Sequence, residues 1–391
     1  MRTLILSDLH LGSVSGSDLL RVADLRAPLL EAVKDVDRVV LLGDVLELRQ
    51  GPPREALAVA RPFFEDLGRA LAGGELVVIA GNHDYALIEP WLAHRAEHEG
   101  ADPLGVEQLL GPAEASPMLD RLAEWASPVR VVAAYPGLWV RPDVYATHGH
   151  YLDCHMTVPT LERLGMGLMS RLLGRPARSF ASVEDYEAVT GPVYAWRHAV
   201  ARQARTGDAL NGVATVDAWR ALEERGRRGR ARRDGWEARD RSSAARRLRT
   251  RALVAAFPVA VAALNRAGLG PLRADISAGE LRRAGLRAMA EVASRLDLRE
   301  AYLVFGHTHR AGPLPGDHER EWRGRAPAGD RSAVRLVNAG CWTYDSVFLT
   351  STPGESPYRP GTCVLVEDSG PPALKRLLCD RSHAELRPAP A

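Results

Sequence analysis

Apolar residues along this chain fall into two rhythms. Short unbroken runs, Thr3 to Leu6, Val39 to Leu42 and Leu76 to Ala80, read as strands covered on both faces. Between them the apolar positions recur at helical spacing. Leu19, Leu20, Val22, Ala23, Leu29, Leu30 and Val33 predict a helix over about Ser17 to Lys34, and a second helix, about Arg54 to Ala72, runs into the Gly73-Gly74 turn. The order β-α-β-α-β argues for a largely parallel sheet, in which ligands sit beyond the carboxyl ends of the strands. The region from about Tyr85 to Ser127 reads as helices and loops. Further strands are expected at Arg130 to Ala134, Leu138 to Thr147, Ala301 to Phe305, Val334 to Val337, Thr362 to Val366 and Leu374 to Leu378.

The strand signal stops from about Tyr151 to Glu300. This divides the chain into a core of residues 1–150 and 301–380, a helical insertion or lid of residues 151–300, and a frayed tail of residues 381–391. In the lid, Leu161, Leu164, Leu168 and Leu172 recur at helical spacing beside Met166, Met169 and Leu173. Such a stripe suits packing against a neighbouring helix or, with adaptable thioethers nearby, an apolar ligand. Arg225 to Arg251 carries twelve arginines against Asp234, Glu237 and Asp240, a solvated face or loose loop, or a contact for anionic lipid or nucleic acid.

Composition narrows the classes. With 391 residues, 46% hydrophobic and 26% charged, the chain can bury a large core, and a formal charge of +2 gives no global pull toward nucleic acid or membrane. Lys34 and Lys375 are the only lysines, and the Ala, Gly and Pro content suggests a GC-rich genome, so Arg richness says little about function. Cys154, Cys341, Cys363 and Cys379 show no Cys-x-x-Cys spacing, which disfavours zinc-thiolate and disulfide frameworks. The first strand begins almost at once, without a leader, and the longest apolar run, Ala252 to Leu264, is too short to span a bilayer. A cytoplasmic protein is expected.

The chemistry gathers at strand ends. Five clusters each follow an apolar run: Asp8-x-His10, Gly43-Asp44, Gly81-Asn82-His83-Asp84, His148-Gly149-His150 and Gly306-His307-x-His309. Mixed oxygen and imidazole donors suit first-row ions such as Mn, Fe or Zn. A carboxylate can bridge two such ions, which together activate a shared water and clamp a phosphoryl group. Asn82 offers a neutral oxygen, His83 an imidazole that titrates near neutral pH, and Asp84 a carboxylate to orient it. His150 and His155 read either as substrate contacts or as loop residues. Arg310 reads as a phosphate contact or an exposed arginine. His94, His98, His198, His318 and His383 read as structural or surface residues.

These blocks, in this order, resemble the signature of the calcineurin-like metallophosphoesterase family over about residues 1–150 and 300–380. The resemblance implies an α/β (α+β sandwich) fold, two facing β-sheets flanked by helices in four layers, with a large helical insertion. It implies two divalent transition-metal ions, one held by Asp8, His10 and His309, the other by Asn82, His148 and His307, with Asp44 bridging. His83 becomes the acid or phosphate contact, oriented by Asp84; beside these, Arg310 and His150 are the candidate substrate contacts. The implied activity is hydrolysis of a phosphoester or pyrophosphate in a small, amphiphilic or nucleotide-linked molecule. The Ser/Thr phosphatase branch has Asp-Arg-Gly shortly after the bridging aspartate; here the run is Val45-Leu46-Glu47-Leu48-Arg49. The Gly-Asp-x-x-Glu form and the Asn338 to Trp342 block are more similar to UDP-2,3-diacylglucosamine pyrophosphohydrolases, although these commonly have Arg at the position of His83 and a shorter lid. Alternatives are a nuclease or cyclic-nucleotide phosphodiesterase of the same family, or a non-catalytic scaffold. Every expected ligand is present, which disfavours the scaffold. The expected partners are the small phosphoester and, through the lid, a lipid or membrane surface, not nucleic acid.

Overall fold

Strict alternation along each strand decides how the layers stack. In β1 (Thr3–Leu6), Leu4 and Leu6 join the core shared with the helices, while Ile5 joins a second core. In β2 (Arg38–Leu42), Val39 and Leu41 divide from Val40 and Leu42 in the same way, as Leu76 and Val78 divide from Val77 and Ile79 in β3 (Glu75–Ile79). Both faces are apolar because both are covered, which is why the runs look continuous in the sequence. The computed structural model describes residues 1–98, 102–203, 258–275, 277–298, 301–324, 333–345, 349 and 355–387.

Seven strands form the first sheet in the order β11-β10-β1-β2-β3-β5-β4, where β4 is Gln108–Leu110, β5 Arg130–Tyr135, β10 Thr362–Val366 and β11 Ala373–Arg376. β1, β2, β3 and β5 run parallel, and the outer strands are antiparallel. The second sheet has the order β6-β7-β8-β9, with β6 Gly137–Arg141, β7 Val144–Thr147, β8 Tyr302–Phe305 and β9 Arg335–Asn338. Val144, Ala146, Val304 and Val337 face the first sheet across the second core. Helices α1 (Ala23–Val33) and α2 (Pro53–Ala70) bury Leu25, Leu29, Phe63, Phe64 and Leu67 in the first core. Smaller helices α3 (Glu89–Glu97), α4 (Pro112–Ala115) and α5 (Pro117–Trp125) follow. The fold is therefore the expected α/β one, two mixed sheets flanked by helices.

Several expectations change in detail. The strand read over Leu138 to Thr147 is a hairpin, β6 and β7, broken at Pro142-Asp143, because proline cannot donate to the ladder. The helix read from Ser17 begins as a 3-10 turn, Leu19–Arg21, and α1 starts only at Ala23. Ser17 and Leu19 instead pair with the segment around Trp342 and Tyr344. Edge strand β4 was not foreseen; three residues are too few to show a period. In the frayed tail, His383–Leu386 forms a helical turn (α9) with its end capped by Ser382, and Leu386 is buried.

Residues 151–203 and 258–298 contain only helical elements among the described residues: α6 (Leu161–Leu172), α7 (Val183–Gln203), a helix over 258–266 and α8 (Ala278–Arg295), with short 3-10 turns. α8 buries Ala284, Met289 and Val292 in the same core as Leu303 and Phe305 of β8. The run from Arg225 to Arg251 lies outside the described residues. Among the described residues, no helix is long and apolar enough to cross a membrane.

Candidate metal centre

All five clusters arrive at one edge, beyond the ends of β1, β2, β3, β7 and β8. The backbone there is strained. Asp8 (φ 57°), His10 (46°), Asp44 (51°), His307 (64°) and His309 (57°) sit in the left-handed region, and among described non-glycine residues only Asp297 joins them. Each such residue costs on the order of 1–3 kcal/mol, and such strain gathers at functional sites. The glycines of the motifs serve close approach. A Cβ on Gly43 would strike the His148 ring, and one on Gly306 would strike Ser7 Oγ and Asp8 Oδ2. Gly306→Ala is therefore expected to cost about 1–3 kcal/mol by overpacking and to weaken ion binding with it. Thermal melts with and without Mn check this; an unchanged melt in both would refute the crowding argument.

The donor atoms form two groups around a shared carboxylate. In the first, His309 Nε2 lies 3.2 Å from Asp8 Oδ1 and 3.2 Å from His10 Nε2, and His10 Nε2 lies 3.7 Å from Asp44 Oδ2. In the second, Asn82 Oδ1 lies 3.1 Å from His148 Nε2 and 3.0 Å from His307 Nδ1, and Asp44 Oδ2 lies 3.3 Å from His148 Nε2. Bonds of about 2.0–2.2 Å to one ion place adjacent donors roughly 3–3.5 Å apart, so these separations fit two ions that share Asp44. Apart from the His309 ring, Asp8 Oδ1 is buried without a hydrogen-bond partner, a costly state for a carboxylate that a cation relieves. Hydrogen bonding alone would turn the Asn82 amide so that its NH2 faced Asp44, His148 and His307; a cation among these groups takes the oxygen instead.

The far nitrogen of each ligating imidazole is also held. His10 Nδ1 meets Glu47 Oε2 at 3.1 Å, His148 Nδ1 meets the Leu42 carbonyl at 2.9 Å, His307 Nε2 meets Asp153 Oδ2 at 3.1 Å, and His309 Nδ1 meets Thr343 Oγ1 at 3.3 Å. A carbonyl or carboxylate only accepts, so the contacts of His10, His148 and His307 fix an N–H outward and leave a lone pair for an ion, the usual arrangement of metal-bound histidine; the Thr343 hydroxyl can accept from His309 in the same way. Asn338 braces the last block through Gly306 O and Thr308 Oγ1, both 3.0 Å away.

Residues 1–186 match the model of the calcineurin-like phosphoesterase family. No curated protein matches the chain. The matched span carries Asp8, His10, Asp44, Asn82 and His148, and the fold brings His307 and His309 to them from beyond it. With its buried His/Asp clusters, the chain is a metal-dependent phosphoesterase.

Charge in the phosphoesterase site is tightly balanced. Burial would raise the Asp8 carboxyl, but His309 outweighs it and brings it down to about 2. Burial likewise works against ionised Asp44, and His148 with His83 holds it well below the usual range. In return burial works to lower His148, and Asp44 lifts it to about 9. Burial lowers His83, opposed by Glu47.

Three expectations for the phosphoesterase site need correcting. Asp84 does not orient His83. It accepts from the backbone N–H groups of Gly81 (2.7 Å), Val45 (2.7 Å), Leu46 (3.2 Å) and Asp44 (3.3 Å), stitching two loops together. Glu47 takes that place, with His83 Nδ1 at 2.7 Å from its Oε2. Arg310 is buried and committed to Asp317 at 3.0 and 2.5 Å, with its guanidinium over Trp322. That pairing keeps it from a phosphate. His150 is 1% exposed, its ring packed on Tyr151 and Tyr194, and burial pushes it well below its ordinary pKa. Glu47, Arg49, Asp153 and Thr343 escaped the sequence reading as site residues. Glu47 alone had a signal, as the last residue of the Gly-Asp-x-x-Glu form.

Proposed function

We propose that this chain hydrolyses a phosphoester or pyrophosphate bond of a small, amphiphilic or nucleotide-linked molecule at a centre of two divalent ions. The observation that carries the reading is the placement of Asp44 Oδ2 between two donor groups, 3.7 Å from His10 Nε2 and 3.3 Å from His148 Nε2. Asp8, His10 and His309 hold one ion, and Asn82, His148 and His307 the other. The donor set suits Mn, Fe or Zn. When bound, two such ions lower the pKa of the water between them and neutralise the phosphoryl oxygens. The chain's own contribution is orientation. Glu47 holds His10 and His83 together, and the two rings meet edge to face at 4.6 Å. His83 is partly exposed, and we assign it to the leaving group or a phosphoryl oxygen. Behind the Asn82 amide, Arg49 Nη2 reaches Glu162 at 3.3 Å.

The test of the reading is a screen of the Mn-loaded protein against nucleotide-diphosphate sugars, cyclic nucleotides, phosphomonoesters and single-stranded DNA. Chelator-treated protein should regain two ions per chain by elemental analysis, with a rise in Tm. Trace metal after loading and an unmoved melt would defeat the dinuclear reading.

Residues 151–300 support a role in substrate choice. α6 turns Arg163, Met166 and Gly167 inward, whereas Leu161 (46%), Leu168 (52%) and Leu172 (71%) stay exposed. The leucine stripe therefore faces outward, available to an acyl chain or lipid surface. Exposed positions tolerate exchange within about 0.5 kcal/mol, so Leu161→Ser with Leu168→Ser should leave the fold intact. We expect weaker binding of an amphiphilic phosphoester and unchanged turnover of a small aryl phosphodiester. Equal loss on both substrates would count against the assignment.

A further inference from the structure

Away from the donors, three tyrosine hydroxyls converge on one carboxylate. Glu187 of α7 accepts from Tyr85 OH at 2.9 Å, from Tyr135 OH at 2.6 Å and from Tyr151 OH. The three rings are buried, at 5%, 0% and 3% exposure. Burial and then the Glu187 charge raise all three hydroxyls well above the ordinary tyrosine value, so they remain donors. α7 is shaped for the contact. Gly191, one turn beyond Glu187, leaves room for Tyr85, since a Cβ there would lie 2.8 Å from its hydroxyl.

Two of these tyrosines sit on loops that carry donors. Tyr85 comes three residues after Asn82, and Tyr151 three residues after His148. Tyr151 also belongs to the 3-10 turn His150–Cys154, from which Asp153 Oδ2 holds His307 Nε2 at 3.1 Å. Both arms thus end at Asn82, His148 and His307, the donors of one ion. Neither tyrosine contacts Asp8, His10 or His309; the Tyr85 loop meets His10 only at one remove, through His83 and Glu47. Tyr135 ends β5, a strand that delivers no donor.

We propose that Glu187 is a positioning residue for the ion held by Asn82, His148 and His307, acting through Tyr85 and Tyr151, so that helix α7 sets the affinity of one of the two ion sites. The inference rests on the dinuclear reading above. It makes the inserted helices part of the metal centre as well as of substrate choice. A carboxylate takes all three donors; an amide keeps one acceptor oxygen and turns two N–H groups toward hydroxyls that already donate.

The experiment is a titration of chelator-treated, full-length protein with Mn(II), following ion number and the magnetic coupling between the ions by electron paramagnetic resonance. The wild type should take two coupled ions. In Glu187→Gln one ion should bind about tenfold or more weakly, since partners behind metal ligands are typically worth about 10–100-fold. The other ion should keep its affinity, and the spectrum should approach that of Asn82→Ala. Tyr85→Phe and Tyr151→Phe should each reproduce part of the loss, and Tyr135→Phe, which deletes a contact to the same carboxylate, should not. These single-oxygen deletions carry the test if Glu187→Gln fails to fold. Equal weakening of both ions, no weakening, or a Tyr135→Phe effect as large as that of Tyr151→Phe would overturn the proposal. A wild type that takes a single ion would instead overturn the dinuclear reading, and this inference with it.

Discussion

Asp44→Ala is expected to release both ions and to lower kcat by about 10³-fold or more. Loss of a single charge-stabilising donor already costs about 10²–10³ in kcat in other enzymes, and here one carboxylate serves two donor groups. Its loss also leaves the His148 and His10 rings without the anion that lies beside both. Asp44 Oδ1 further accepts from the His83 backbone N–H at 2.8 Å, so Asp44→Ala removes a loop contact too. Asp44→Asn separates the two effects. It keeps shape and an acceptor oxygen but not the charge, and should lose the ions while its metal-free melt falls less than that of Asp44→Ala. Metal content and turnover of an aryl phosphodiester are the readouts. Near-wild-type turnover in either variant would show that the ions do not share this carboxylate.

The second large effect is expected at the Glu47–His83 pair. His83→Ala should keep both ions and lose kcat, most on substrates with poor leaving groups. General acid catalysis contributes typically about 10²–10⁴-fold, and an acidic leaving group such as nitrophenol needs little of it. Glu47→Gln should share that loss, because the carboxylate lies 2.7 Å from His83 Nδ1. It should add a second one. Glu47 also meets His10 Nδ1 at 3.1 Å, so the ion held by Asp8, His10 and His309 should weaken by about 10–100-fold. The two variants therefore differ in metal affinity and agree in leaving-group dependence, and the double variant should fall well short of the sum of the single effects. A loss in His83→Ala that is uniform across leaving groups and accompanied by metal loss would make His83 a packing residue of the loop.

The five clusters are legible in the sequence because each is local. A strand that must be covered on both faces is apolar throughout, and its end is marked by the Gly, Asp, His or Asn that turns the chain toward an ion. Glu47 was half visible in the same way, three residues after Asp44. Arg310 shows the limit. Next to His309 it looks aimed at a phosphate, yet Asp317 and Trp322 claim it, and nothing in the local sequence says which partner wins. Asp84 was misassigned for a related reason. Adjacency to His83 suggested a side-chain pair, whereas its buried carboxylate is satisfied by four backbone N–H groups of two loops.

By itself, then, the sequence determined the parallel strands at the centre of the sheet, the strand ends and the set of candidate donors, since these follow from periodicity and from the chemistry of short motifs. The tertiary structure decided which atoms face which. It brought His307 and His309 back from beyond residue 300, placed Asp153 behind His307, turned Leu161, Leu168 and Leu172 of α6 outward, and gathered Tyr85, Tyr135 and Tyr151 on Glu187. Contacts of this kind join residues far apart in the chain, and their partners are chosen by burial and by the need to satisfy every buried polar group, a condition that acts only once the whole fold has formed.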